Sequence, residues 1–252
     1  MIRHGLLVVV LGLSFPLSST VGYADSKQRP IRVAVYAGEG AVLGLDAVLK
    51  ALAHQPEFAV HEVKGEAIRQ GHLARYDVLI MPGGSGSKEA KGLGEKGREQ
   101  IKEFVRKGGG YVGICAGAYL ATCDYPWALH ILNARVLDKE HWDRGNAKVE
   151  IALSQRGREV LGTRHEIVSI EYAQGPLLAP GHNKELPSYE TLATFRTQVA
   201  KNGAPRNVMP GATAVAAAAF GKGRVLCFSP HPEETKGLHT FLFRGIAWAA
   251  AR

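Results

Sequence analysis

The sequence predicts an α/β protein with a doubly wound, flavodoxin-like, mostly parallel sheet that carries helices on both faces and an antiparallel extension. Three observations favour this fold class. The chain has 252 residues, of which 46% are hydrophobic and 21% are charged, and these proportions suit a globular domain with one large core. Strand and helix patterns alternate in the first half, which favours a parallel sheet covered on both faces. Further along, strand patterns follow one another with few helices between them, which favours the extension.

The first 24 residues have the pattern of a secretory signal peptide. Basic Arg3 precedes an apolar run over residues 6–15, and small residues lead up to Ala24. The run is short for a membrane span, which needs about 20 residues, although an uncleaved anchor is the alternative. We therefore expect cleavage near Ala24, a single domain over residues 25–252, a secreted or periplasmic location, and no integral membrane span after cleavage.

The first half of the domain repeats a strand, a turn and a helix. The run Ile31–Tyr36 is apolar and β-rich and is followed by two glycines, after which apolar residues recur at helical spacing over 45–52. The same order returns along the chain, so these strands should lie parallel. The strands predicted here are Ile31–Tyr36, Phe58–Val63, Val78–Met81 and 111–114, and the helices are 45–52 and one around 101–105.

The second half is richer in strands. Four strand patterns follow residue 123, and two more flank the turn Gly221-Lys222-Gly223, which resembles a hairpin. A final helical pattern closes the chain. The predicted strands are 134–137, 148–153, Ile167–Ala173, Glu190–Phe195, 214–220 and 224–228, and the last helix is 234–250.

The segment around Cys115 has the form of a nucleophile elbow. A strand runs directly into a helical pattern, and Gly113 and Gly117 stand two residues before and after the cysteine. Such a turn is too tight for side chains at the two glycines, and it places the sulfur above the sheet at a helix N-terminus, where the helix dipole favours thiolate. The alternative is a buried structural cysteine beside ordinary packing glycines.

Two further segments also follow predicted strands. In Ser229-Pro230-His231-Pro232-Glu233, Glu233 could orient an imidazole that takes the thiol proton, although a Pro-rich turn with a capping acid would look the same. After Val78–Met81, the backbone N–H of Gly84 could join that of Ala116 in holding an oxyanion. In a parallel sheet all of these groups would lie at the carboxyl edge, where α/β proteins place their sites.

The order of these segments resembles the class I glutamine amidotransferase-like superfamily. Within it, Val35-Tyr36-Ala37-Gly38, the segment 113–119 and Tyr172-Ala173-Gln174-Gly175-Pro176 look like the family named for the amino-terminal domain of biotin-protein ligases, which also occurs as exported stand-alone proteins. The resemblance covers about residues 31–250. It implies that Cys115 is the nucleophile, His231 the base and Glu233 its orienting residue, with Gly84 and Ala116 as oxyanion donors.

The expected function is cysteine-dependent hydrolysis of a C–N bond in a small amide or peptide. The alternative is a catalytically idle protein that holds a small ligand or a partner in the same cleft. Weaker candidates to line the cleft are Glu39, His141, Trp142 and Tyr172, each of which could equally be surface or packing. No metal-ligand spacing and no phosphate-binding loop occur, so no metal and no cofactor are expected.

Charge and cysteine content limit the remaining possibilities for binding partners and disulfides. The formal net charge is +8, but basic residues are scattered and lack interleaved aromatics, so nucleic-acid binding is not expected. Cys123 and Cys227 are expected to be inert thiols, with a disulfide between them as the alternative. The sequence leaves the oligomeric state open.

Overall fold

The computed structural model describes residues 1–2 and 29–251, and eleven strands in that part of the chain form one sheet. The predicted signal peptide therefore lies almost entirely outside the described residues. The strands are β1 (Ile31–Tyr36), β2 (Phe58–Val63), β3 (Val78–Met81), β4 (Gly110–Ile114), β5 (Ala134–Val136), β6 (Asn146–Leu153), β7 (Ile167–Ala173), β8 (Leu178–Pro180), β9 (Glu190–Phe195), β10 (Thr213–Phe220) and β11 (Gly223–Phe228). The helices are α1 (Val42–Leu52), α2 (Gly65–Arg69), α3 (Gly86–Arg106), α4 (Ala116–Ala121), α5 (Gln155–Leu161) and α6 (His239–Ala249), with a 3₁₀ turn at His72–Arg75.

One half of the sheet is parallel. Its strands run in the order β2-β1-β3-β4-β11, and each neighbouring pair is parallel. The central strands β3 and β4 are buried at every residue, as expected for parallel strands covered on both faces. All strands predicted for the first half of the chain are present, with β4 one residue longer than expected.

The other half of the sheet is antiparallel and larger than expected. β11 pairs with β10 across the predicted hairpin turn, and the order continues β10-β9-β6-β7, with β5 and β8 added beside β10. Of the ten strand pairings among the described residues, six are antiparallel. The prediction of a mostly parallel sheet was therefore wrong, because what we expected as an extension supplies most of the pairings.

The sheet carries a hydrophobic core on each face. Alternate residues of β1 belong to different cores, with Val33 and Val35 in one and Ala34 and Tyr36 in the other, because successive side chains of a strand point to opposite faces. Helices α1, α5 and α6 pack into the first core, and α2, α3 and α4 into the second. The protein is thus a mixed α/β fold with helices on both faces. None of the described helices is long and apolar enough to cross a membrane.

Besides the 3₁₀ turn, three short elements were not predicted: α2, α5 and β8. They have 5, 7 and 3 residues, which is too short for a hydrophobic period to repeat. Helix α3, by contrast, starts well before the predicted helical pattern and is interrupted at Gly94, whose φ is +65°. The pieces before and after the break both contribute buried residues to the second core.

Candidate active site

Cys115 lies in a strained turn between β4 and α4. Its φ is +49° and its ψ is −98°, a conformation that costs a non-glycine residue of order 1–3 kcal/mol and is found mainly at functional sites. Its N–H donates to the carbonyl of Phe228 at 2.8 Å, and its own carbonyl accepts from the N–H groups of Ala118 and Tyr119 at 3.0 Å each. These bonds to β11 and α4 hold the turn in place.

The glycines around Cys115 are required by close backbone approach, as predicted. A Cβ atom on Gly113 would lie 2.5 Å from the carbonyl oxygen of Gly117, and one on Gly117 would lie 2.2 Å from that of Met81. The hydroxyl of Tyr111 donates to the Gly117 carbonyl at 2.7 Å. Helix α4 has only six residues, so its dipole is a weaker support for a thiolate than the sequence suggested.

His231 and Glu233 form a buried pair. Nδ1 of His231 lies 2.8 Å from Oε1 of Glu233, and the two side chains are 6% and 0% exposed. Neither the Nε2 of His231 nor the Oε2 of Glu233 has a hydrogen-bond partner among the described residues. An imidazole whose Nδ1 is bound to a carboxylate and whose Nε2 is unpartnered has the geometry of a general base.

The backbone of His231 is anchored to β7. Its N–H donates to the carbonyl of Glu171 at 2.8 Å, and its own carbonyl accepts from the hydroxyl of Thr235 at 2.7 Å. The same hydroxyl accepts from the N–H of Glu171 at 3.0 Å. One direct hydrogen bond and one bridge through Thr235 thus tie the backbone of His231 to β7, which the sequence pattern did not show.

Cys115 and His231 converge at Gly83. A Cβ atom on Gly83 would lie 3.0 Å from Cε1 of His231 and 3.7 Å from Cβ of Cys115. Gly83 follows β3, Cys115 follows β4 and His231 follows β11, so three neighbouring parallel strands bring these groups to the same edge of the sheet. The sulfur of Cys115 donates to the carbonyl of Ala173, which ends β7, at 3.3 Å.

The two expected oxyanion donors have free N–H groups. Neither Gly84 nor Ala116 donates its N–H to an acceptor within the described residues. Gly84 is exposed, with φ +148°, and it packs against the carbonyl of Gly40, whereas Ala116 is buried next to Cys115. Gly83 lies beside the two reactive side chains and is a third backbone group at this position.

The charges of the site favour a protonated imidazole. Burial alone would lower the pKa of His231, but its interactions with the nearby Cys115 and with the Glu233 carboxylate raise that pKa well above its ordinary value. The pair with Glu233 therefore stabilises the protonated form of this buried imidazole.

Glu89 is a buried acid near the site that sequence reasoning missed. It lies in the first turn of α3, is 0% exposed, and neither carboxyl oxygen has a partner among the described residues. Burial raises the pKa of Glu89 well above its ordinary value, and the charge of Cys115 raises it further. The raised pKa favours the neutral carboxylic acid, a form that adds no negative charge near the thiol.

We expect Glu89→Gln to remove a pH dependence of stability. Because the pKa of Glu89 is higher in the folded than in the unfolded state, its contribution is fully present below the unfolded value and is lost as pH rises through the folded value. Above about pH 4.5 the free energy of unfolding of the wild type should fall by up to about 1.4 kcal/mol per pH unit relative to the variant. Urea denaturation from pH 4 to 8 measures this difference. The exposed Glu95→Gln should leave the slope unchanged, and identical slopes in wild type and Glu89→Gln would contradict the assignment.

The weaker candidates occupy different surroundings. Glu39 is exposed and pairs with Lys91 at 3.4 Å, Trp142 is 56% exposed, and Nδ1 of His141 lies 3.0 Å from Asp138. The side chain of Tyr172 is buried, and its hydroxyl donates to the carbonyl of Gly175. A role in substrate binding stays a prediction for all four candidates, Glu39, His141, Trp142 and Tyr172.

The three cysteines are free thiols, so the alternative of a disulfide between Cys123 and Cys227 is not realised here. Burial raises the pKa of both Cys123 and Cys227, which makes them poor nucleophiles. Atoms of His231, Glu233 and Glu234 lie within 4.8 Å of one another, the one group of possible metal ligands found among the described residues. Within this group, Nδ1 of His231 already binds Glu233. The expectation of no metal stays a prediction.

Comparisons with known proteins agree with the resemblance seen in the sequence. Residues 31–140 match the family described as biotin-protein ligase, N terminal, which confirms that resemblance for this part of the chain. A segment of 69 residues is 35% identical to an uncharacterized protein of Chlamydia muridarum. It spans 27% of this chain and only 24% of that protein.

Solved structures share the fold across most of the chain. A ThuA-like protein of Bacteroides uniformis is similar with a TM-score of 0.60 and 15% identity over 90% of this chain and 94% of that one. A ThuA-like protein of Parabacteroides merdae is similar with a TM-score of 0.56 and 14% identity over 88% and 90%. At sequence identities this low, the similarity shows a shared fold alone. Together with the family match they support a scaffold like that of the glutamine amidotransferases.

Proposed function

We propose, on the premise of this glutamine amidotransferase-like scaffold, that the protein is an exported cysteine-dependent hydrolase that cleaves a C–N bond in a small amide or peptide. The observation that carries the proposal is the strained Cys115 turn beside the buried His231–Glu233 pair. Export rests on the signal pattern of residues 1–24. The doubly wound, flavodoxin-like arrangement of the parallel strands is the finer fold that this function would use.

The mechanism follows from the positions of these groups. The thiolate of Cys115 attacks the amide carbonyl carbon, a C–S bond forms, and the carbonyl electron pair moves onto oxygen. The free N–H groups of Gly84 and Ala116 donate to that oxyanion. When the oxyanion collapses, the C–N bond breaks and the His231 imidazolium gives its proton to the leaving nitrogen.

Water completes the cycle. The now neutral His231 takes a proton from water, whose oxygen attacks the thioester carbon and releases a carboxylic acid. The C–S bond breaks and the Cys115 thiolate returns beside the imidazolium. Glu233 orients and stabilises the imidazolium through its contact with Nδ1 at 2.8 Å.

The second candidate function is a catalytically idle binding protein on the same scaffold. One observation favours it: Cys115 is only 6% exposed and its sulfur donates to a backbone carbonyl. In that case the elbow is a scaffold feature and the thiol does not react.

Reactivity of the thiols separates the two functions. At neutral pH, limiting iodoacetamide should label Cys115 at least about tenfold faster than Cys123 or Cys227, because only Cys115 has an imidazolium partner. Peptide mass spectrometry measures the three rates, and the same peptide should carry an acyl adduct when small amides are supplied.

Two comparisons complete this experiment. In denaturant the three thiols should react at similar rates, and in His231→Ala the advantage of Cys115 should disappear. Label found chiefly on Cys123 or Cys227 of the folded protein would overturn the hydrolase proposal and favour the idle binding protein.

A further inference from the structure

A cavity of about 340 Å³ lies beside the turn between β10 and β11, away from the candidate active site. Gly221, in that turn, lines the cavity just before β11 begins. Cys115 instead follows the far end of β4, and β4 runs parallel to β11. The cavity and the thiol therefore lie at opposite edges of the sheet. The volume of the cavity is in the range of small-molecule pockets, about 300–1,000 Å³.

Three basic side chains line this cavity. Lys102 and Arg106 stand four residues apart on α3, so they lie on the same side of that helix. His130 comes from the segment that follows α4. Glu185, which is exposed, is the one acidic residue among the described residues that line the cavity. The two cations on α3 therefore give the cavity an excess of positive charge even when the imidazole is neutral.

The ion pairs of the two cations leave them able to bind a ligand. Nζ of Lys102 lies 3.0 Å from Oε1 of Glu99, and Nη1 of Arg106 lies 2.6 Å from Oε2 of Glu103. Neither acid lines the cavity, and their side chains are 59% and 41% exposed. Such exposed pairs are weak, because water screens them and two long side chains must be held still. An anion in the cavity can therefore compete with both carboxylates.

The surrounding structure holds the donors of the cavity in place. The guanidinium of Arg106 lies 5.4 Å from the centroid of the Phe220 ring, a cation–π contact that orients it. His130 has a φ of +54°, and its N–H is held by a backbone carbonyl at 3.1 Å. On the opposite wall, Nδ2 of the buried Asn133 donates to the carbonyl of Asn183 at 2.8 Å. The donors are therefore arranged before any ligand arrives.

We propose that this cavity binds a phosphate group, carried by a free phosphate ion or by a small phosphate ester. The proposal goes beyond the hydrolase function and does not depend on it. A guanidinium, an ammonium and an imidazole can each donate to a different oxygen of a tetrahedral dianion, whereas a carboxylate offers only two oxygens. The site consists of side chains, so no phosphate-binding loop pattern would reveal it. The cavity also leaves room for an organic group beside Leu186 and Pro187.

Direct binding measurements on the whole protein test the proposal. Equilibrium dialysis with radiolabelled inorganic phosphate gives the affinity of the ion, and calorimetry gives that of phenyl phosphate. Lys102→Gln and Arg106→Gln should each weaken binding about tenfold, the loss expected for one charge-assisted hydrogen bond. Lys96→Gln removes the same charge from an exposed position of α3 outside the cavity and should leave the affinity nearly unchanged. Glu185→Gln should tighten binding, because it removes a carboxylate that repels the anion.

The choice of anions separates the two sources of the phosphate group. Tighter binding of phenyl phosphate than of inorganic phosphate assigns the site to an ester, and the reverse order assigns it to the free ion. Acetate at the same ionic strength should displace neither of them. Displacement by acetate at the same concentration as by phosphate would overturn the choice of phosphate.

Binding at the candidate active site is the alternative that must be excluded. Phosphate should leave the rate at which iodoacetamide labels Cys115 unchanged. The proposal is overturned if the wild type binds neither ligand at millimolar concentration, or if folded Lys102→Gln and Arg106→Gln bind as tightly as the wild type. Slower labelling of Cys115 in the presence of phosphate would also overturn it. Loss of phosphate binding would leave the hydrolase function untouched, since the relative labelling rates of the three thiols test that function separately.

Discussion

Replacing Cys115 by serine, or His231 by alanine, is expected to lower amide turnover by about a thousandfold or more. Cys115→Ser keeps the shape of the side chain but replaces a thiolate nucleophile with a hydroxyl that the pair of His231 and Glu233 would have to deprotonate. His231→Ala leaves the thiol without a partner and leaves Glu233 as a buried carboxylate facing a cavity. Each change removes a step that the proposed mechanism cannot omit.

The losses of amide turnover caused by the two single substitutions should not be additive in the double variant. Because Cys115 and His231 act as one unit, the double variant should be little slower than either single variant. Glu233→Gln should be milder, since the imidazole keeps a hydrogen-bond partner at Nδ1 and loses only the charge that stabilises its protonated form. Release of ammonia or amine from a panel of small amides and peptides measures the four variants against the wild type.

This series of variants has a matched control and one outcome that would contradict the proposed mechanism. Cys227→Ser changes a thiol on β11 whose pKa is raised by burial, and it should leave the turnover per folded molecule unchanged. If Cys115→Ser turned over an amide at the rate of the wild type, no thioester could lie on the pathway. The binding-protein function would then have to replace the hydrolase.

Gly84→Ala is expected to destabilise the protein by about 3 kcal/mol or more. A Cβ atom at this position would lie 1.9 Å from the carbonyl oxygen of Gly40, and the φ of +148° is one that side chains rarely adopt. That carbonyl accepts from the N–H of Ser85 at 2.9 Å, just before α3. The backbone cannot yield without losing this bond, so the clash and the strain act together.

Gly203→Ala is the matched control for Gly84→Ala. Gly203 also has a positive φ, +78°, but a Cβ atom there would meet nothing within 4 Å. We expect a loss of about 1 kcal/mol from backbone strain alone. Urea denaturation of both variants measures the difference, and equal losses would mean that the loop before α3 moves freely to admit the methyl group.

Much of the fold could be predicted because its strands are short, apolar and bounded by turn residues. β1, β2, β3, β7 and β9 have the predicted bounds. The balance of parallel and antiparallel pairs could not be predicted in the same way, because strand direction depends on partners that are distant in sequence. The sequence pattern of β10 indicates which of its residues point to each face of the sheet. That pattern does not say whether β10 pairs with β11, β9 or β8.

The part of the site that depends on backbone geometry could be predicted from the sequence. The part that depends on side-chain packing could not. Glycines at fixed offsets indicate the elbow at Cys115 because only they fit its turn. Glu89 stands among the charged residues of α3 and has no distinguishing pattern, since its burial arises from the packing of that helix. Around residues 141–144 the sequence drew attention to the aromatic and the imidazole, yet Trp142 is exposed and Arg144 is buried.

In the proposed hydrolase, the pairing of β4 with β11 would set the time at which the thiol becomes reactive. Cys115 follows β4, but both the carbonyl that holds its N–H and the imidazole beside it arrive with β11 and the segment after it. Contacts between strands so distant in sequence form late, because a long loop must close first. On this proposal, a chain whose synthesis is unfinished would carry an ordinary thiol at residue 115. The site around the proposed nucleophile is complete only after the chain has folded.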